Sequence, residues 1–207
     1  AAPGDPLGGF KQRVQDALFA KLGPQAFDPA LDEAQLHRMV TAQLGEVIAE
    51  GGAPLSAEER ERIATEETRQ MQMVRDLMGL RAIGENTAWI LVLEFFGWRE
   101  FHNRREVGAL AGLAPTPYQS GESYREQGIS KAGNSWVRHA MIEVTWQWLR
   151  YQPASVLTQW FAERYAEGGK GARKRGCTAV ARKLLIALWK YLETGEVPEG
   201  AQLKPSG

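Results

Sequence analysis

The chain has 207 residues, 43% hydrophobic and 24% charged, with 25 Lys and Arg against 25 Asp and Glu, enough apolar side chain to bury a core without cross-links. A lone cysteine, Cys177, excludes a disulfide framework and a cysteine-rich zinc site and fits a reducing cytosol. No apolar run nears the roughly 18–20 residues of a membrane span, and residues 1–9 lack the basic and apolar regions of a signal peptide, so a cytoplasmic chain is expected.

The zero net charge conceals an asymmetry. Residues 1–70 carry 7 Lys and Arg against 12 Asp and Glu, residues 71–207 carry 18 against 13, and every Trp and Tyr lies after residue 70. Charge and aromatic content that switch together predict two segments with different partners.

Gly and Pro dominate residues 1–9, which predicts a flexible tail. Residues 10–22 then suit a short helix with Val14, Ala17, Leu18 and Leu22 on one side, stopped by Gly23-Pro24. Asp28-Pro29 reads as an N-cap followed by proline at the first helical position. The helix it opens carries Leu36, Met39, Val40, Leu44, Val47 and Ile48 and ends at Gly51-Gly52. Ser56 and Glu59 form a capping box for another, continuing through Ile63, Met71, Val74 and Leu77. This stretch holds no phosphate loop, and His37 has no partner at metal-ligand spacing, so it reads as a surface residue.

Leu77–Phe96 reads as a helix end, a tight turn at Ala82-Ile83-Gly84, and an apolar helix from about Asn86. Backbone N–H groups at such a turn can grip a nucleic-acid phosphate around Gly84, or the glycine can simply permit the bend. Asn103 and Glu106 open a further helix that stops at Gly112. From Leu113 to Asn134 the sequence is irregular, with two prolines, two tyrosines, hydroxyls and cations, which suits a shaped site better than a linker.

Three helices follow. The first carries one stripe of Trp136, Val137, Ala140, Met141, Val144 and Trp148 and a second of Ile142, Trp146 and Leu149, which predicts packing between neighbours or against another subunit. Pro153 opens the next, with Leu157, Trp160 and Phe161, and Gly168-Gly169 ends it. The last buries Cys177, Val180, Ala181, Leu184, Leu185, Leu188 and Leu192 and turns Arg175, Arg182, Lys183 and Lys190 the other way. With Lys170, Arg173 and Lys174 this makes a basic face with no acid between Glu167 and Glu193, suited to phosphate.

Two resemblances bear on these segments. Phe10-Lys-Gln-Arg-Val-Gln-Asp16 and Glu46-Val-Ile-Ala-Glu-Gly-Gly-Ala-Pro-Leu-Ser56, running on to Ile63, look like the N-terminal helical region of CpaF-type pilus and secretion ATPases, over about residues 7–66. No glycine-rich segment ends in the Lys-Ser/Thr of a nucleotide loop, which excludes ATP hydrolysis. From about Glu67 to Leu203 the chain resembles the C-terminal region of insertion-sequence transposases of the IS-one-ten type. The motifs are Leu80-Arg-Ala-Ile-Gly84, Glu94-Phe-Phe-Gly-Trp98, Arg104-Arg-Glu-Val-Gly108 through Pro115, Tyr118-Gln-Ser-Gly121, Gln127-Gly-Ile-Ser-Lys-Ala-Gly-Asn134 with Arg138, and Ala181–Trp189.

This resemblance implies an all-α, helix-hairpin-helix-like body at 67–203, with room for a short β-hairpin at 115–130, between a small acidic head at 10–66 and a tail at 204–207. It implies Ser120 as a nucleophile on DNA, with Gly121, Gly128 and Gly133 shaping the loop. Arg125, Lys131 and Arg138 are the nearest cations able to hold phosphate oxygens. Full-length members carry a RuvC-like domain whose carboxylates bind a divalent metal such as Mg. This chain shows no such domain, so no cofactor is expected within it, and activity is expected only with a partner: a second copy, or a full-length transposase with its guide RNA. A non-catalytic DNA-binding module and a nonfunctional fusion are the competing expectations.

Overall fold

Asp32 and Gln35 bond reciprocally: the Asp32 carboxylate accepts from the Gln35 backbone N–H at 2.6 Å, and the Gln35 side-chain oxygen accepts from the Asp32 N–H at 2.9 Å. That pair satisfies donors a helix start leaves free, and it opens α1 (Glu33–Gly51). Asp32 is therefore the cap of this helix. The computed structural model describes residues 20, 22, 31–51, 57–120 and 123–205. The expected tail at 1–9, most of the 10–22 helix, Asp28-Pro29 and Ser56 lie outside them. The chain divides into two compact units, Ala1–Arg75 and Asp76–Gly207, with the boundary inside the last turns of α2 (Ala57–Gly79).

In the first unit Leu36, Val40, Leu44 and Val47 of α1 and Ile63, Ala64, Met71 and Val74 of α2 are buried, at the helical spacing read from the sequence. His37 links the two helices. Its Nδ1 lies 3.2 Å from the Thr68 hydroxyl and its Nε2 3.2 Å from the Glu61 carboxylate.

In the second unit, α3 (Glu85–Leu91) runs into one π-helical turn, Val92–Phe96, where the Gly97 N–H reaches the Val92 carbonyl at 2.7 Å. α4 (Arg104–Leu110) starts as expected: the Asn103 side chain accepts from the N–H groups of Arg105 and Glu106. The Glu106 carboxylate in turn accepts from the His102 N–H and the Asn103 amide, and these donors hold its carboxyl below the ordinary range. The segment read as irregular is a hairpin, β1 (Pro115–Ser120) and β2 (Ser123–Ile129), the one sheet among the described residues. The strands are antiparallel, pairing Pro115 with Ile129, Tyr118 with Arg125 and Ser120 with Ser123, with an irregularity between Pro115 and Pro117. Prolines cannot donate to a ladder, which explains the break at that end.

α5 (Ser135–Tyr151), α6 (Val156–Tyr165) and α7 (Lys170–Thr194) complete the unit, and α7 packs against α4, α5 and α6. The fold is thus all-α with a short hairpin where one was expected. Two details depart from the sequence reading. Pro153 does not open α6, whose N-cap is Ser155; that serine is buried, and its hydroxyl accepts from the Trp148 indole N–H at 3.0 Å. Trp136 is no core residue: it is 69% exposed, while Val137, Ala140, Met141, Val144 and Trp148 are buried.

The C-terminal stretch is held, not trailing. Leu203 bridges Leu80, the Gln152 amide donates to the carbonyls of Arg81 and Gln202 at 2.9 Å each, and the Lys204 ammonium donates to the Ile83 carbonyl at 2.7 Å. Residues 80–84 are braced from behind by these bonds.

Candidate nucleic-acid interface

The hairpin springs from two segments zipped at its root. The Ser130 N–H donates to Ala114 O at 2.9 Å, Lys131 N–H to Gly112 O at 3.2 Å, and Asn134 N–H to Leu110 O at 2.9 Å. Gly133, at φ +120°, passes so close that a Cβ there would stand 2.2 Å from the Leu110 carbonyl oxygen. Asn134 then caps α5 through its side-chain oxygen, which accepts from Trp136 and Val137 N–H, while its amide donates to the Glu94 carboxylate at 3.0 Å. One asparagine therefore ties the hairpin root, the start of α5 and the π turn together.

Ser120 is the last residue of β1, at the end of the hairpin remote from its root. Gly121 lies outside the described residues, and Arg125 sits on β2 opposite Tyr118. Gly128, on β2, has φ +87°. Lys131 is exposed, with a left-handed backbone at φ +54°. Arg138 serves the root: its guanidinium donates to Lys131 O at 3.1 Å and Ala111 O at 3.4 Å.

At the other turn, the residue with left-handed backbone is Ala82, at φ +79°, and not Gly84, which has an extended backbone and caps α3. Ala82 occupies the place where a phosphate-gripping turn carries its first glycine. Gly84 makes no close approach that would require the absence of a side chain.

On α7, Lys170, Arg173, Lys174, Arg175 and Lys183 are exposed. Lys183 lies 4.7 Å from the centre of the Trp160 ring, which Arg164 also approaches at 5.1 Å. Arg182 departs from the basic face. It is half-buried against Gly108 of α4, and its Nε is enclosed without a hydrogen-bond partner. A helix back that packs on a neighbour cannot stay wholly solvated, and sequence periodicity does not reveal that neighbour.

Between the hairpin root, α5 and the start of α7 lies a groove of about 600 Å³, lined by Ile129, Ser135, Arg138, His139, Ile142, Trp146, Lys174, Cys177 and Thr178. On the far side of Trp146 is a second groove of about 710 Å³, reaching the Ala82-Ile83-Gly84 turn, Glu143, Tyr151 and Lys204. His139 was missed in the sequence, although Ser135, Arg138, His139, Ile142 and Trp146 recur at helical spacing on one side of α5. Burial pushes the groove-lining Cys177 thiol up to about 11, so it is no nucleophile near neutrality. Among the described residues no three His, Cys, Asp or Glu are placed to hold a metal, so the divalent metal implied by the resemblance finds no fitting donor set there. No helix among them is long and apolar enough to cross a membrane.

Residues 74–165 match the sequence profile of the transposase IS116/IS110/IS902 family. A protein of Sinorhizobium fredii (strain NGR234) named "Putative transposase y4rJ" is 48% identical over 129 residues, which is 62% of this chain and 32% of the relative. The chain thus spans about a third of that relative's length. The match covers the π turn, the hairpin and α5, while α7, which lends the groove Lys174, Cys177 and Thr178, lies beyond it. The stretch from residue 74 to residue 165 is therefore similar to transposases of the IS116/IS110/IS902 type.

Proposed function

We propose that the second unit engages DNA along the groove beside α7 and presents Ser120 as the nucleophile of a strand-transfer reaction. The observation that carries this reading is the root of the hairpin: Ile129, the last residue of β2, lines the same groove as Arg138 and Lys174. A hairpin rooted at a cationic groove is suited to bringing its far end to a strand held there. In the step itself the Ser120 oxygen attacks phosphorus and gives its proton to water. The bond from phosphorus to a bridging deoxyribose oxygen breaks, and the released sugar oxygen takes up a proton. A phosphoserine ester forms, ready for attack by another sugar hydroxyl.

On this reading residues 7–66 are a secretion-ATPase-like head joined to the transposase body. The reaction then draws on metal-binding carboxylates that the described residues do not group together. Ser120→Ala abolishes strand transfer in the presence of a full-length partner while leaving DNA binding intact; equal transfer by both forms overturns the nucleophile assignment.

A non-catalytic DNA-binding module is the second reading, favoured by the run of exposed cations on α7. Neutralising Arg173, Lys174 and Arg175 together should cut binding and lower the salt slope by about 2–3. If it changes neither, both readings lose their interface.

A further inference from the structure

Trp146 stands on α5 with 42% of its surface exposed and lines both grooves at once. We infer that its indole is a stacking platform for an unpaired nucleobase, so that this face holds single-stranded nucleic acid in preference to duplex. The inference rests on the nucleic-acid reading above and names the form of substrate the surface takes.

Four observations support it. A large indole with 42% of its surface exposed, on a helix where its neighbours Ile142 and Leu149 are half-buried, leaves part of its ring open to a ligand. Cations stand on both sides, Lys174 in one groove and Lys204 in the other, so a backbone crossing the ridge meets positive charge before and after it. Among the described residues no acidic side chain lines the groove beside the hairpin, and Glu143, in the other groove, lies against His139 at 3.2 Å. The Lys204 ammonium is fixed in place by its bond to the Ile83 carbonyl at 2.7 Å, and its remaining N–H donors can meet a phosphate.

A paired base is enclosed by its stacked neighbours and offers only its edge, whereas an unpaired one can lie flat on an aromatic ring. A second copy of this chain fits the ridge less well. A two-fold interface here would set the cationic start of α7 near its own counterpart, and like charges brought together oppose association.

The test compares the full chain with Trp146→Ala and Trp146→Phe, measuring the anisotropy of a labelled oligothymidylate and of a duplex of equal length. The side chain is exposed, and matching circular dichroism of the three proteins verifies that the fold is retained. The expected result is about a tenfold loss of single-strand affinity in Trp146→Ala, largely recovered in Trp146→Phe, with duplex affinity within about twofold of the parent. Equal weakening on both nucleic acids, or no weakening on the single strand, overturns the stacking platform while leaving the nucleic-acid reading in place. Absence of salt-dependent binding by the parent chain to either nucleic acid overturns both. A self-association of the parent that disappears in Trp146→Ala, with oligothymidylate affinity unchanged, assigns the ridge to a second copy and also overturns the proposal.

Discussion

The Arg138 guanidinium donates to the Lys131 carbonyl at 3.1 Å, and through that bond a residue on α5 holds a residue with left-handed backbone at the end of the hairpin. The same nitrogen reaches the Ala111 carbonyl, so one side chain spans both segments from which the hairpin rises. Lys131 thereby keeps an unfavourable φ of +54° because its surroundings fix it there. The hairpin's direction is set at its root, far from Ser120.

Arg138→Ala should therefore loosen the hairpin more than the helices. Loss of a charged donor to partly buried carbonyls costs about 1–3 kcal/mol. Hydrogen exchange at residues 115–130 should accelerate while α7 stays protected. Unchanged exchange across the hairpin would show that the backbone bonds at the root suffice.

Gly133 and Gly128 share a positive φ but differ in surroundings, +120° with the Leu110 oxygen pressed close against one and +87° with open space beside the other. Gly133→Ala should cost about 3 kcal/mol or more, combining backbone strain with a clash against main chain. Gly128→Ala should cost only about 1 kcal/mol, from backbone strain alone. Urea denaturation of the two variants checks the order, and equal losses would refute it.

At the turn before α3 the expectation is reversed. Ala82→Gly removes left-handed strain worth about 1–2 kcal/mol and returns about half of it as unfolded-chain entropy, leaving a small net gain. Gly84→Ala, in extended backbone with open space, should be neutral or stabilising by about 0.5 kcal/mol. A clear loss of stability in Gly84→Ala would mean that this glycine has a contact beyond the turn itself.

The buried indole of Trp148 has its N–H satisfied by the Ser155 hydroxyl. Ser155→Ala strands that donor and should lower stability by about 1–3 kcal/mol. Ser155→Thr keeps the hydroxyl and should lose less. Thermal denaturation of the pair separates a lost bond from a general intolerance of change at this position.

Alkali should weaken the fold through Cys177. Its thiol ionises at about 11 in the folded chain against 9.0 without burial, so folded protein retains the proton that unfolded chain releases. The stability gained from that neutral thiol is fully present below about pH 9 and lost as pH rises through about 11, a fall of about 3 kcal/mol. Tyr191, raised first by burial and then by the Asp76 carboxylate, adds the same sign, while Lys204, lowered by burial, opposes it. Cys177→Ala should flatten the decline by the cysteine's share, and an identical pH profile in parent and variant would exclude it.

Much of this protein follows from sequence because its elements are local. Helix starts such as Asn103 with Glu106 and Asn134 before Trp136, and apolar residues every three or four positions along α5 and α7, depend on neighbours a turn away. The order of motifs from Leu80 to Arg138 likewise pointed, without coordinates, to the transposases that this stretch resembles. Tertiary structure decided what depends on distant partners. It turned residues 115–129 into a hairpin whose root is closed by bonds to residues 110–114, put left-handed strain on Ala82 rather than Gly84, and drew Arg182 against Gly108. It also left Trp146 standing between two grooves. A linear pattern records which side of a helix is apolar; only packing determines whether that side is covered.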